Sequence, residues 1–169
     1  ILLKREMTRL LSQVLAVLAA RMKKEDISPL LSHYIADDLV RLHHHFEYAQ
    51  QSTPEFRRHR EQYQRRVLAV DRLYSAAAHL AAAPQIPLDP EQIKVLCVLK
   101  KRCEVFYSSI KEDSVYIDSG DSINLNPIDP TLATVVHEIS SALTNAQDSE
   151  EGQISEITFI QSSLVKLDA

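Results

Sequence analysis

The sequence predicts an all-α domain of about six helices, arranged as an irregular bundle or a short stack of helical hairpins. Three observations lead there. The 169 residues hold only 2 Gly, where an average share of roughly 7% would give about 12, so designs rich in tight turns are disfavoured, all-β and doubly wound α/β alike. Apolar residues recur three and four apart along most of the chain, the period of an amphipathic helix. Four helix starts also share one code, a capping residue followed by proline: Ser28-Pro29, Thr53-Pro54, Asp89-Pro90 and Asp129-Pro130. The first residue's oxygen can accept a bond from a free N–H of the first turn, and proline at the first helical position gives up an N–H that has no partner there.

Each element follows from that pattern. The first helix, about 1–24, carries Leu3, Met7, Leu10, Leu11, Val14, Leu18 and Met22 on one face. The second, about 29–50, carries Leu31, Tyr34, Ile35, Leu39, Leu42 and Phe46. The third, about 54–83, carries Phe56, Tyr63, Val67, Val70, Tyr74 and Ala77, and stops before Pro84-Gln85-Ile86-Pro87. The fourth, about 90–112, opens on Asp89-Pro90-Glu91-Gln92, close to a capping box. It carries Ile93, Leu96, Leu99, Cys103, Phe106 and Ile110. The fifth, about 130–146, carries Leu132, Val135, Val136, Ile139 and Leu143; a sixth, about 150–168, carries Ile154, Ile157, Ile160, Leu164 and Leu167. Between the fourth and fifth, β-branched runs flank Asp118-Ser119-Gly120-Asp121 and predict a short β-hairpin near 115–125.

With 45% hydrophobic and 25% charged residues, the chain suits one globular domain over 1–169. Ile1-Leu2-Leu3-Lys4 reads as helix interior without a cap, and the last residues lack a terminator, so the domain is expected to be a fragment of a larger protein. No apolar run reaches the roughly 18 residues of a membrane span. Cys97 and Cys103 lie about 120° apart on one helix and cannot pair within it. No CxxC pair is present either, and an intracellular location, cytoplasmic or nuclear, is expected.

The net charge of −4 conceals a split. Residues 1–72 hold 13 of the 19 Lys and Arg and 9 of the 23 Asp and Glu, a net +4, which leaves −8 on residues 73–169. Either the halves attract one another or each faces a different partner. Arg58, Arg65 and Arg72 fall at heptad spacing on the third helix, and Arg57, Arg66 and His79 widen them into a basic stripe. Such a stripe suits an acidic protein partner, the chain's own acidic half, or the phosphates of a nucleic acid. No solvent-side aromatic interleaves with it for base stacking.

The second helix carries most of the remaining signals. Asp38 and His45 fall inside its apolar stripe with Arg41 at the edge, which predicts a buried polar network whose members either satisfy one another or meet a neighbouring helix, since buried polar groups need partners. His33, Asp37 and His44 share the opposite face, with Glu47 nearby. Histidine and carboxylate one turn apart can reach one metal. The run His43-His44-His45 lacks the Glu-x-x-His unit of helical di-iron bundles, however, and a solvated polar face is the expectation.

The segment Val135-Val136-His137-Glu138-Ile139-Ser140-Ser141-Ala142-Leu143-Thr144 is similar to the phosphoacceptor segment of sensor histidine kinases, where His-Glu opens a helix and Leu-Thr follows. That resemblance implies a solvent-facing, phosphate-accepting His137. It spans about ten residues, lacks the usual proline where Ala142 stands, and is not followed by a glycine-rich nucleotide segment. A zinc-protease helix would need a second His where Ser141 stands. No phosphate-cradling GxxxxGK[ST], GxGxxG or GxSxG pattern occurs.

The expectation is therefore a non-catalytic interaction or scaffold module, with no cofactor and no metal. Arg58, Arg65, Arg72 and Arg66 are its first binding surface, and His33, Asp37 and His44 its second. A nucleic-acid-binding module using the Arg stripe, and a metal-binding or phosphotransfer domain, are the alternatives.

Overall fold

The computed structural model describes residues 2–27, 31, 34–83, 87–120, 123 and 129–148. Among them are six helices and no strand: α1 (Leu2–Lys23), α2 (Ile35–Ser52), α3 (Pro54–Arg58), α4 (Arg60–Ala82), α5 (Pro90–Lys111) and α6 (Pro130–Ala146). The predicted helix over 150–168, the Ser28-Pro29 start and His33 lie outside the described residues.

Capping explains where α5 and α6 begin. The Gln92 N–H donates to the Asp89 carboxylate at 2.8 Å, and the Asp89 N–H donates to Gln92 Oε1 at 3.1 Å, a complete capping box. Asp129 accepts from the N–H groups of Thr131 and Leu132 at 2.9 and 3.4 Å. Thr53 behaves differently: proline follows it, but its side chain makes no capping bond.

The predicted helix over 54–83 is two helices, broken at His59. In a straight helix Phe56 and Tyr63 would be separated by about 10 Å of rise. Instead their rings stack with centroids 4.4 Å apart, and Phe46 of α2 meets Phe56 edge-on at 5.6 Å. The break turns Phe56 inward to complete this aromatic corner. Arg57 reaches back across the same corner, donating from Nε and Nη2 to the carbonyls of Gln50 and Gln51 at 3.3 and 3.4 Å. Those are carbonyls that the end of α2 leaves without helical donors.

Four helices form a ring in the order α1, α4, α6, α5, each packed on its neighbours. Polar bonds between the helix ends give their directions. Lys4 at the start of α1 pairs with Asp113, just past α5, at 2.9 Å. Gln62 near the start of α4 donates to Asp148, just past α6, at 3.2 Å. At the other end, Arg21 of α1, Leu80 of α4, Gln92 of α5 and Leu132 of α6 line one small cavity. So α1 and α4 run one way, and α5 and α6 the other. The interior is aliphatic, with Leu10, Leu11, Val14, Leu73, Leu96, Leu99, Ile139 and Leu143 fully buried. α2 lies outside the ring in the α1–α4 groove, antiparallel to both.

α5 and α6 run parallel, so the chain must travel back between them, and residues 114–120 begin that return. The hairpin expected near 115–125 is not there as a ladder among the described residues: Val115, Tyr116 and Ile117 form no strand, and most of the opposing run lies outside them. Their extended backbone pairs instead with the end of α6, where the Asp148 N–H donates to the Tyr116 carbonyl at 3.0 Å. The Tyr116 ring packs on Phe106 with centroids 5.0 Å apart. No helix among the described residues is long and apolar enough to cross a membrane.

The caps give a direct check on this account. Asp89→Ala and Asp129→Ala are expected to cost about 1 kcal/mol each in urea unfolding. Thr53→Ala is expected to stay within about 0.5 kcal/mol of the parent, because no capping bond is lost.

Candidate functional site

The basic stripe does not survive folding as one surface. Arg66 is only 2% exposed. Its Nη2 donates to the Ser114 carbonyl at 2.6 Å and lies 3.7 Å from the Asp148 carboxylate. Arg65 donates to the other oxygen of Asp148 at 3.3 Å. The same carboxylate accepts from Gln62 and from the Tyr116 N–H, the latter at 2.8 Å. Two of the four arginines expected to bind a partner thus bind the chain's own acidic half. The reason is rotational: at about 100° per residue, Arg66 points a quarter-turn away from Arg65, into the core. His79 likewise meets Glu138 at 3.2 Å, and Arg57 is engaged at the end of α2. Arg58, Arg60 and Arg72 are exposed.

A second buried ion pair lies one step along the return segment. Arg102 forks onto both oxygens of Asp118 at 2.9 and 2.6 Å, and its Nη1 donates to Ser140 Oγ at 3.0 Å. The Tyr116 hydroxyl donates to Asp118 at 3.0 Å. Burial pushes the Asp118 carboxyl up, but the hydrogen bonds and charge of Arg102, together with the Tyr116 hydroxyl, outweigh it and hold the group below the usual carboxylate range. Burial and the facing carboxylate push the Tyr116 phenol up. Nothing in the sequence analysis singled out Arg102 or Asp148. The signal was available for Arg102, a charged residue beside the apolar face made by Leu99, Cys103 and Phe106.

On α2, Asp38 is buried as expected, and of the two sources of partners it takes the neighbouring helices rather than His45 or Arg41. It accepts from Arg9 of α1 at 3.1 Å and from the Tyr74 hydroxyl of α4 at 2.9 Å. Arg9 is held in turn by Glu6 at 2.9 Å. The expected network of Asp38, His45 and Arg41 is therefore corrected in two members. Arg41 is exposed and reaches only to 3.8 Å from Glu6, while His45 is half-buried and supplies no bond to Asp38. The neighbouring His43 makes the closer contact, 2.6 Å from Asp71 of α4. These pairings required knowing which helices lie beside α2.

The outer face of α2 keeps Asp37 and His44 exposed, as expected; His33, the third residue named for it, lies outside the described residues. The same face presents Val40 and Tyr48 at 69 and 61% exposure, and Tyr34, the residue before the helix, is 70% exposed. Val40 and Tyr48 stand one turn to either side of His44, neighbours on one side of the helix. Arg41 and Glu47 complete the surround with one charge of each sign. Among the described residues, no three His, Cys, Asp or Glu side chains converge as metal ligands would. His137 is exposed at the surface of α6, and both cysteines are free thiols. Cys97 is exposed, whereas burial pushes the Cys103 thiol up to about 12.

Compared with known protein families, curated proteins and solved structures, the chain matches none.

The Arg102–Asp118 pair sets an acid limit on the fold. A carboxyl held below its unfolded value contributes its full stabilisation above about pH 4–5 and loses it as pH falls through the folded value. Asp118→Asn leaves a buried guanidinium uncompensated and is expected to cost about 3–5 kcal/mol at pH 7. The deficit should shrink as pH falls below about 4, as read by urea unfolding at stepped pH.

Proposed function

We propose that this domain is a non-catalytic protein-interaction module, a scaffold or adaptor part of a larger intracellular protein, and that it binds its partner through the outer face of α2. One observation carries the reading: Val40 and Tyr48 are exposed on either side of His44 on one helix face, with Asp37, Arg41 and Glu47 beside them and Tyr34 exposed just before the helix. Tyrosine supplies a large, rigid contact area with a polar tip, and it is enriched at interface centres, where mixed charges form the rim. The partner suited to this face has a mixed or apolar surface. The face expected first, the Arg stripe of α4, is the weaker basis, because Arg65 and Arg66 are engaged inside the domain. Two free thiols, one of them exposed, suit a reducing compartment.

The test is capture from a nuclease-treated lysate of the source cells, comparing the parent chain with Val40→Glu and Tyr48→Glu. The expected result is one or more proteins retained by the parent and lost from both variants, with unfolding midpoints unchanged, since neither side chain is buried. Capture that instead requires nucleic acid and is lost in Arg58→Glu/Arg72→Glu would move the function to the remaining exposed arginines and overturn the reading.

A further inference from the structure

We infer that α2 is a detachable arm: it is clasped into the α1–α4 groove by ionic contacts and opens as a unit while the ring of α1, α4, α5 and α6 stays folded. The first ground is how little of α2 is buried. Only Asp38 and Leu42 of its 18 residues are buried, against ten of 22 in α1 and seven of 17 in α6. One of those two is a carboxylate. Ile35, Leu39, Phe46 and Ala49 pack on the core only in part. Helical stability in a protein comes mainly from burying an amphipathic face, and α2 buries the least of the five long helices.

The second ground is intrinsic to the segment. Tyr34 at its N-terminal end makes no side-chain capping bond, and the Gln50 and Gln51 carbonyls at its other end are satisfied from outside the helix, by Arg57. The run His43-His44-His45 places three residues of modest helix propensity at its centre. Away from the bundle this helix has little of its own to hold it.

The third ground is the kind of contact that does hold it. Asp38 meets Arg9 and Tyr74 on one turn, and Glu6 steadies Arg9 from α1. On the next turn His43 meets Asp71, which also accepts a bond from Ser75 Oγ at 3.5 Å. These bonds are directional and sit on adjacent turns of one rigid helix, so a movement of a few ångströms breaks them together. Opening uncovers Glu6, Arg9 and Asp71, polar groups that water can solvate, and gives up the apolar contacts of one fully buried residue, Leu42, and of the half-buried Ile35, Leu39, Phe46 and Ala49. Opening there avoids the exposure that would follow from parting α1 and α5 or α4 and α6. Local openings of this kind belong to the elements with the fewest buried apolar contacts. The inference concerns the inner face of α2 and stands whether or not its outer face binds a partner.

Hydrogen exchange of the chain, followed by mass spectrometry over a series of low denaturant concentrations, tests it. Peptides within 35–52 should exchange more than about tenfold faster than the slowest peptides of α1, α4, α5 and α6, with similar protection along the whole of α2. Asp38→Asn should accelerate 35–52 further and leave 130–146 unchanged. Tyr74→Phe, which removes only a hydroxyl, should do the same more weakly and serves if the first variant fails to fold. Protection in 35–52 equal to that of the ring helices would overturn the inference, as would acceleration of every helix by the same factor.

Discussion

Arg66 sits almost wholly out of water, and a guanidinium in that position requires an acceptor and a counter-charge close by. Its acceptor is the Ser114 carbonyl, and its counter-charge is Asp148, which Arg65, Gln62 and the Tyr116 N–H also address. Three parts of the chain distant in sequence are thereby fixed to one carboxylate: the start of α4, the return segment and the end of α6. The return segment must exist because α5 and α6 run parallel. Its described residues 114–120 form no β-ladder, and Ser114 and Tyr116 hold their places through bonds to these side chains. The Arg102–Asp118 pair then fixes the same segment to α5, and through Ser140 to α6. The ring of helices is held by aliphatic packing, but its connectivity is fixed by two buried ion pairs.

This distribution explains what could be read from the sequence. The start of α5 at Pro90 and the start and end of α6, Pro130 and Ala146, follow from local chemistry, because a cap, a proline and a 3.6-residue stripe act within one helix. The break at His59 does not, since it arises from Phe56 stacking on Tyr63 under Phe46, and Phe46 belongs to another helix. The polar side chains were legible only as demands. A buried Asp38 announces that it needs a partner, but the sequence does not say whether His45 or Arg9 supplies it. The answer depends on α1 lying beside α2. Arg66 was misplaced for the same reason: its turn toward the core is visible on a helical wheel, yet only the position of Asp148 makes burial tolerable.

The charge split has a corresponding origin. Lys4 with Asp113, and Arg65 and Arg66 with Asp148, each join the basic half to the acidic half. Of the two uses that the split allowed, attraction within the chain and attraction to separate partners, the first accounts for much of the basic residues of α4. Long-range asymmetry in a sequence is therefore a weak guide to a partner until the internal pairs have been removed from the count.

α2 has the ordinary amphipathic arrangement with exceptions on both sides. Its inner side presents Leu42 and the half-buried Ile35, Leu39, Phe46 and Ala49 to the bundle, and among them Asp38 and His43 are tied to α1 and α4. Val40 and Tyr48 face solvent on the other side. Rotating α2 by half a turn would cover those two, but it would expose Ile35, Leu39, Leu42 and Phe46 and strand Arg9, Tyr74 and Asp71, which need polar partners. The apolar stripe thus decides which side of α2 meets the bundle, and Asp38 and His43 fix the rotational setting more finely. Val40 and Tyr48 lie opposite that stripe, so the surface through which we propose that α2 binds is the one its own packing leaves outward.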